Sequence, residues 1–65
     1  MMRGTVIEFD DAKGLGTVAT DAGARYLFHV IEIADGTRSI TIGQPVSFQP
    51  LPKFGTLQAG RLHKL

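Results

Sequence analysis

The side chains available here for acid–base, nucleophilic or metal chemistry are two histidines and six carboxylates, with no cysteine. Their spacing suits none of these. His63 sits two residues from the end, and His29 has no second imidazole near it in sequence. Asp10-Asp11 places two carboxylates side by side, but adjacent residues leaving a strand point apart, and aspartates ahead of a glycine are what a turn uses. The K-G-L-G stretch (13–16) lies between two segments that read as strands, so it is not a glycine loop cradling phosphate ahead of a helix. Without Cys there is neither a thiolate nucleophile nor a thiolate metal site. A metal site would need His29 with Asp or Glu partners, and none is expected. The chain therefore reads as a non-enzyme that needs no cofactor, holds no metal and has no small-molecule substrate.

That leaves binding, and charge bounds the partners. The 65 residues carry a net charge of +1, with 20% charged and 43% hydrophobic residues. This is enough apolar content to fold and too balanced a charge for a disordered tail or a strongly basic, indiscriminate binder. The balance hides a split. Residues 1–35 hold Arg3, Lys13 and Arg25 against Glu8, Asp10, Asp11, Asp21, Glu32 and Asp35; residues 36–65 hold Arg38, Lys53, Arg61 and Lys64 with no acid. A displaced basic surface is one reading of that asymmetry. No apolar run is long enough for a signal peptide or a membrane span, so a soluble, cytoplasmic chain without a membrane partner is expected.

The elements that must position any site are short. Eight Gly and three Pro interrupt every window longer than about ten residues, which disfavours long helices and suits strands joined by turns. Strands are expected over 3–10, 15–20, 25–29, 45–49 and 56–62, with turns at Asp10–Gly14, Thr20–Gly23 and Asp35–Gly36. Gly16 should weaken its strand unless something needs close approach there. Val30–Ala34 reads either as a strand extension or as one helical turn. Pro50 to Gly55 reads as a loop with two prolines. Five short strands avoid exposed edges by closing on one another, so residues 1–65 are expected to form a single all-β domain, a small five-stranded barrel. Its core should comprise Val6, Val18, Ile33, Ile40, Val46, Phe48 and Leu62, with one of the adjacent pair Leu27 and Phe28.

Residues 4–18 (GTVIEFDDAKGLGTV), 26–33 (YLFHVIEI), 35–48 (DGTRSITIGQPVSF) and 58–62 (QAGRL) resemble the cold-shock domain. That family's pattern is roughly G-x-V-K-W-F-N-x-x-K-G-F-G-F-I, then L-F-V-H-F-S-A-I, then D-G-x-[RK]-S-L-x-x-G-Q-x-V-x-F. The resemblance implies a five-stranded antiparallel OB-type barrel that binds single-stranded DNA or RNA on an aromatic face, in the manner of nucleic-acid chaperones. The departures bear on that role. Glu8 stands where the family has a surface Trp, Leu15 and Thr17 where it has two Phe, and Ile7 where it has Lys. One residue reads as missing around His29, and Val30 or Ile31 replaces the Phe that follows the family's His. Base stacking is worth about 1–3 kcal/mol per base, so three lost platforms weaken binding by roughly 3–6 kcal/mol.

The resemblance nominates Phe9, Phe28 and His29 to stack or edge bases and Lys13, Arg38 and Lys53 to contact phosphate. Each has a plainer reading. Of Phe28 and Leu27 only one can face inward, and the resemblance puts Leu27 there; Phe28 as core is the alternative. Phe9 is a stacking ring or strand-end packing, and His29 a base contact or a surface histidine. Lys13 and Lys53 contact phosphate or are simply solvated, and Arg38 contacts phosphate or pairs with Asp35. Tyr26 reads as packing, Glu8 as a solvent-facing strand residue. The leading expectation is weak, largely sequence-non-specific binding of single-stranded DNA or RNA. Its rival is a protein-interaction or homodimerisation module on the same barrel, with Ile7, Leu15, Leu51 and Phe54 as contacts.

Overall fold

The computed structural model describes residues 1–53 and 55–65. Five strands follow in order: β1 (Met2–Asp10), β2 (Leu15–Ala19), β3 (Arg25–His29), β4 (Pro45–Lys53) and β5 (Thr56–Lys64). They close into a barrel in the order β1-β2-β3-β5-β4. Four pairings are antiparallel, and the closing one, β3 with β5, is parallel, so the sheet is mixed where an antiparallel barrel was expected. This closing contact is thin: Leu27 opposite Gln58, supplemented by a bridge from Ile33 to Leu62. The ambiguous Val30–Ala34 segment contributes a single 3-10 turn, Val30–Glu32, ahead of that bridge.

The expected loop at 50–55 is in part strand. β4 runs on to Lys53, with Pro50 opposite Ala59 and Pro52 opposite Leu57. Proline is tolerated there because β1 pairs with β4 only as far as Phe48, which leaves the outer edge beyond it open. Two prolines two residues apart turn their missing donors to the same side, and at an open edge no ladder hydrogen bond is lost.

The core contains Val6, Val18, Ile33, Ile40, Val46, Phe48 and Leu62 as expected, joined by Phe28, Val30 and Ala59. Leu27 is the exception: it is 41% exposed, whereas Phe28 is fully buried. The register explains the inversion. Phe9, Gly16 and Phe28 are direct neighbours across β1, β2 and β3 and form an inward row. Glycine leaves a gap in the middle of that row. The two phenyl rings close over it, stacked with centroids 6.4 Å apart and planes 3° from parallel. A Cβ at Gly16 would lie 2.5 Å from Phe28 Cε1 and 2.8 Å from the Glu8 carbonyl oxygen. The close approach that an in-strand glycine demands is the approach of Phe28. Burying that ring stabilises the fold by about 1.5–3 kcal/mol.

A bulge sets the faces of β1. Val6 pairs with Val18 and Glu8 with Thr17, so Ile7 has no partner on β2. The Val6 backbone bonds instead to the 43–44 loop: its N–H donates to the Gln44 carbonyl at 3.0 Å and its carbonyl accepts from Gly43 N–H at 2.7 Å. The extra residue reverses the alternation. Val6 faces in, and so does Phe9 rather than Glu8.

Gly16→Ala should destabilise the barrel by about 1–3 kcal/mol, since the methyl group has no space that the Phe28 ring does not fill. A urea titration of both proteins checks this. An unchanged midpoint would mean the ring moves aside freely.

Candidate nucleic-acid interface

Two outward rows cross the same three strands on either side of the phenylalanine row. One is Glu8–Thr17–Leu27 and the other Asp10–Leu15–His29. They border a shallow concavity of about 280 Å³ lined by Glu8, Phe9, Asp10, Lys13, Leu15, Gly16, Thr17 and Leu27. Leu15, Thr17 and His29 are half-buried, Glu8 and Asp10 exposed. His29 is the one ring in these two rows.

The turn between β1 and β2 places the cationic rim. Lys13 N–H donates to Asp10 Oδ1 at 3.2 Å, and Gly14 N–H to the Asp10 carbonyl at 2.9 Å. Gly14 has φ +67°, and a Cβ on it would meet Val30 Cγ2 at 3.1 Å and Arg38 Nη2 at 3.9 Å. A residue with positive φ and a covered flank is best filled by glycine. The same geometry brings the Arg38 guanidinium alongside the Lys13 turn from a loop far off in sequence. Neither cation has an ion pair among the described residues, and both are exposed.

The six nominated residues therefore separate. Lys13, Arg38 and His29 border the outward face. Phe28 does not: fully buried, it has no free ring face for a base, and its nomination as a stacking platform is corrected to core. Phe9, half-buried, gives one face of its ring to Phe28. Lys53 is held elsewhere, its ammonium 2.9 Å from Glu32 Oε2. The error at Phe28 came from alignment. The eight residues Tyr26–Ile33 match the eight of L-F-V-H-F-S-A-I without a gap. No residue is missing, His29 takes the place of the family's His, Leu27 that of its Phe, and Phe28 that of its Val. Leu27, expected in the core, thus lies on the outward face; the parity of the row opposite Gly16 was the available signal. Tyr26 packs on Phe48 at 5.2 Å, in line with its reading as packing. Of the residues named for the rival reading, Ile7, Leu15 and Leu51 are half-buried, and Phe54 lies outside the described residues.

Two ion pairs dissolve much of the charge split. Glu32 binds Lys53, and Asp35 lies 3.2 Å from Lys64, so acids of the first half meet cations of the second. Asp35 does this in place of the pairing with Arg38 that its proximity in sequence suggested. Glu32 also serves the backbone. In β5, Arg61 and Leu62 together oppose Phe48, and Arg61 adopts φ 50°. The Arg61 N–H, released from the ladder by this bulge, donates to Glu32 Oε1 at 3.1 Å.

These bonds set two acidities. The Lys53 hydrogen bond, then the Arg61 N–H and the nearby cationic charge, hold the Glu32 carboxyl below its ordinary value against some desolvation. Asp35 is lowered from 3.8 to about 2, first by the Thr37 hydroxyl and N–H and then by Lys64. A carboxyl depressed in the folded state stabilises it above the unfolded-state value, and that contribution vanishes as pH falls through the folded value.

The chain is 41% identical over 51 residues to the cold shock-like protein CspA of Stigmatella aurantiaca (strain DW4/3-1), covering 75% of each. The solved structure of drosophila Unr CSD456 superposes on 98% of the chain with a TM-score of 0.81 and 31% identity; the match spans 26% of that longer chain. No family model matches the sequence.

Acid should loosen the barrel, and Glu32 should account for part of the effect. Urea midpoints should fall between about pH 5 and pH 2. Glu32→Gln should be less stable than the parent at neutral pH and show a flatter acid limb. Parallel acid limbs would mean that the Glu32 bonds do not survive in solution.

Proposed function

The chain belongs to the cold-shock domain family, and on that footing we propose that it binds single-stranded nucleic acid weakly, and largely without sequence preference, on the outward face of β1–β3. The observation that carries this reading is the register. It sets Leu15, Thr17, Leu27 and His29 side by side on one face, next to Lys13 and Arg38. Membership of the family supplies the ligand class. The residues supply its strength.

A strand laid along this face meets His29 and the half-buried ring of Phe9, and finds Glu8, Leu15, Thr17 and Leu27 where the family pattern has Trp and Phe. Each stacked base lost costs about 1–3 kcal/mol. Apolar contact with Leu15 and Leu27 returns a part of that, without the flat complementarity of ring on base. Lys13 and Arg38 give a backbone two cations at one end of the groove. Glu8 and Asp10 set two carboxylates beside them, so phosphate steering is weak. Contacts of this kind are shared by every sequence, DNA or RNA, and a cytoplasmic setting accords with them.

Binding of a labelled oligo-dT, followed by anisotropy at low and high salt, tests the proposal. The expected result is weak, salt-sensitive binding. Lys13→Ala should reduce the dependence of log K on log salt by about 0.7. Glu8→Trp, which returns a platform to an exposed position, should tighten binding at least roughly fivefold. Binding by neither the parent nor Glu8→Trp at millimolar oligonucleotide would overturn the reading. Concentration-dependent mass in sedimentation would then favour a protein partner or a second copy.

A further inference from the structure

The replacement of a ring by a carboxylate at position 8 need not be a pure loss. Glu8 is exposed and makes no hydrogen bond or ion pair among the described residues. Its strand neighbour across the face is Thr17, and Leu27 follows in the same row. The carboxylate therefore stands at the β1 border of a concavity whose large apolar lining residues are Phe9, Leu15 and Leu27. The concavity between them, about 280 Å³, is at the small end for a ligand pocket and suits one base rather than a larger group. Asp10, the other acid of the lining, lies in the row beyond Gly16 and accepts the Lys13 N–H in the turn.

We infer that Glu8 is a base-reading residue that favours guanine in this concavity. This rests on the binding mode proposed above and adds a preference to it. An ionised carboxylate only accepts hydrogen bonds. Guanine is the base whose pairing edge offers two adjacent donors, N1–H and the N2 amino group, matched to two carboxylate oxygens. Thymine and uracil flank their one N3–H with two carbonyls, which repel the carboxylate. Cytosine and adenine each offer an amino group beside an acceptor nitrogen. A base seated on Leu15 and Leu27 with its pairing edge toward Glu8 is therefore discriminated by donor count. A face built on rings alone lacks that discrimination, because every base has a π-face.

Heptanucleotides of thymidine with a single central guanine, cytosine or adenine, compared with the all-thymine heptamer, test this against the parent and Glu8→Gln. Glutamine keeps the length of the side chain and its exposure but presents one donor and one acceptor, an arrangement that the pairing edges of adenine and cytosine both match. The expected result is that the guanine-containing heptamer binds the parent roughly fivefold tighter than the all-thymine one. In Glu8→Gln that margin should vanish, and adenine and cytosine should both gain. If all four heptamers bind the parent alike, or if the guanine margin persists in Glu8→Gln, the inference is overturned while binding itself stands. If none of the heptamers binds either protein, both the inference and the reading beneath it fall. Amide spectra of the two proteins establish that the exposed substitution leaves the fold intact.

Discussion

The architecture depends on the missing side chain at Gly16. A barrel of this size has few positions where a phenyl ring fits inside. The gap in the middle of β2 creates one, and Phe28 from β3 and Phe9 from β1 meet over it. Once that row points inward, the rows on either side must point outward, because alternation along a strand leaves no choice. The glycine thus fixes which six side chains of β1–β3 stand in the two outward rows. The bulge at Ile7 is the companion device: without the extra residue, Phe9 would turn out and Glu8 in.

The same distribution decides the chemistry of the face. The aromatic residues of the chain are few, and Phe28, Phe48, Tyr26 and Phe9 pack in or against the core. Of these rings only Phe9, half-buried, reaches the outer concavity. The outward rows themselves are aliphatic, hydroxyl, imidazole and charged. The barrel pays little for this in stability, because its closure is secured elsewhere. Glu32 ties the 3-10 turn to the β5 bulge and to Lys53 of β4, just where the parallel seam between β3 and β5 is thinnest.

Much of this was legible in the residues. Glycines and prolines located the strands, and β3 was bounded correctly at both ends, because turn chemistry is local. The core aliphatics followed from alternation. What the sequence concealed depends on long-range pairing. Phe28 and Leu27 are adjacent and both apolar, so only the partner strand, with Gly16 opposite one and Thr17 opposite the other, assigns their faces. Pro50 and Pro52 read as loop because an open edge on β4 is a property of where β1 ends. Lys53 read as a free cation because Glu32, 21 positions earlier, reaches it only in the closed barrel. Conversely, Glu8 as an outward residue and Tyr26 as packing were readable from the chain alone.

The most direct test of the account is an amide-resolved NMR titration of the protein with a short single-stranded oligonucleotide at low and then high salt. The account predicts shifts confined to Glu8, Lys13, Leu15, Thr17, Leu27 and His29, with Arg38 moving alongside and the whole pattern fading as salt rises. Shifts centred on Lys53, Arg61 and Lys64, with β1–β3 silent, would contradict it and would place the ligand on the opposite side of the barrel.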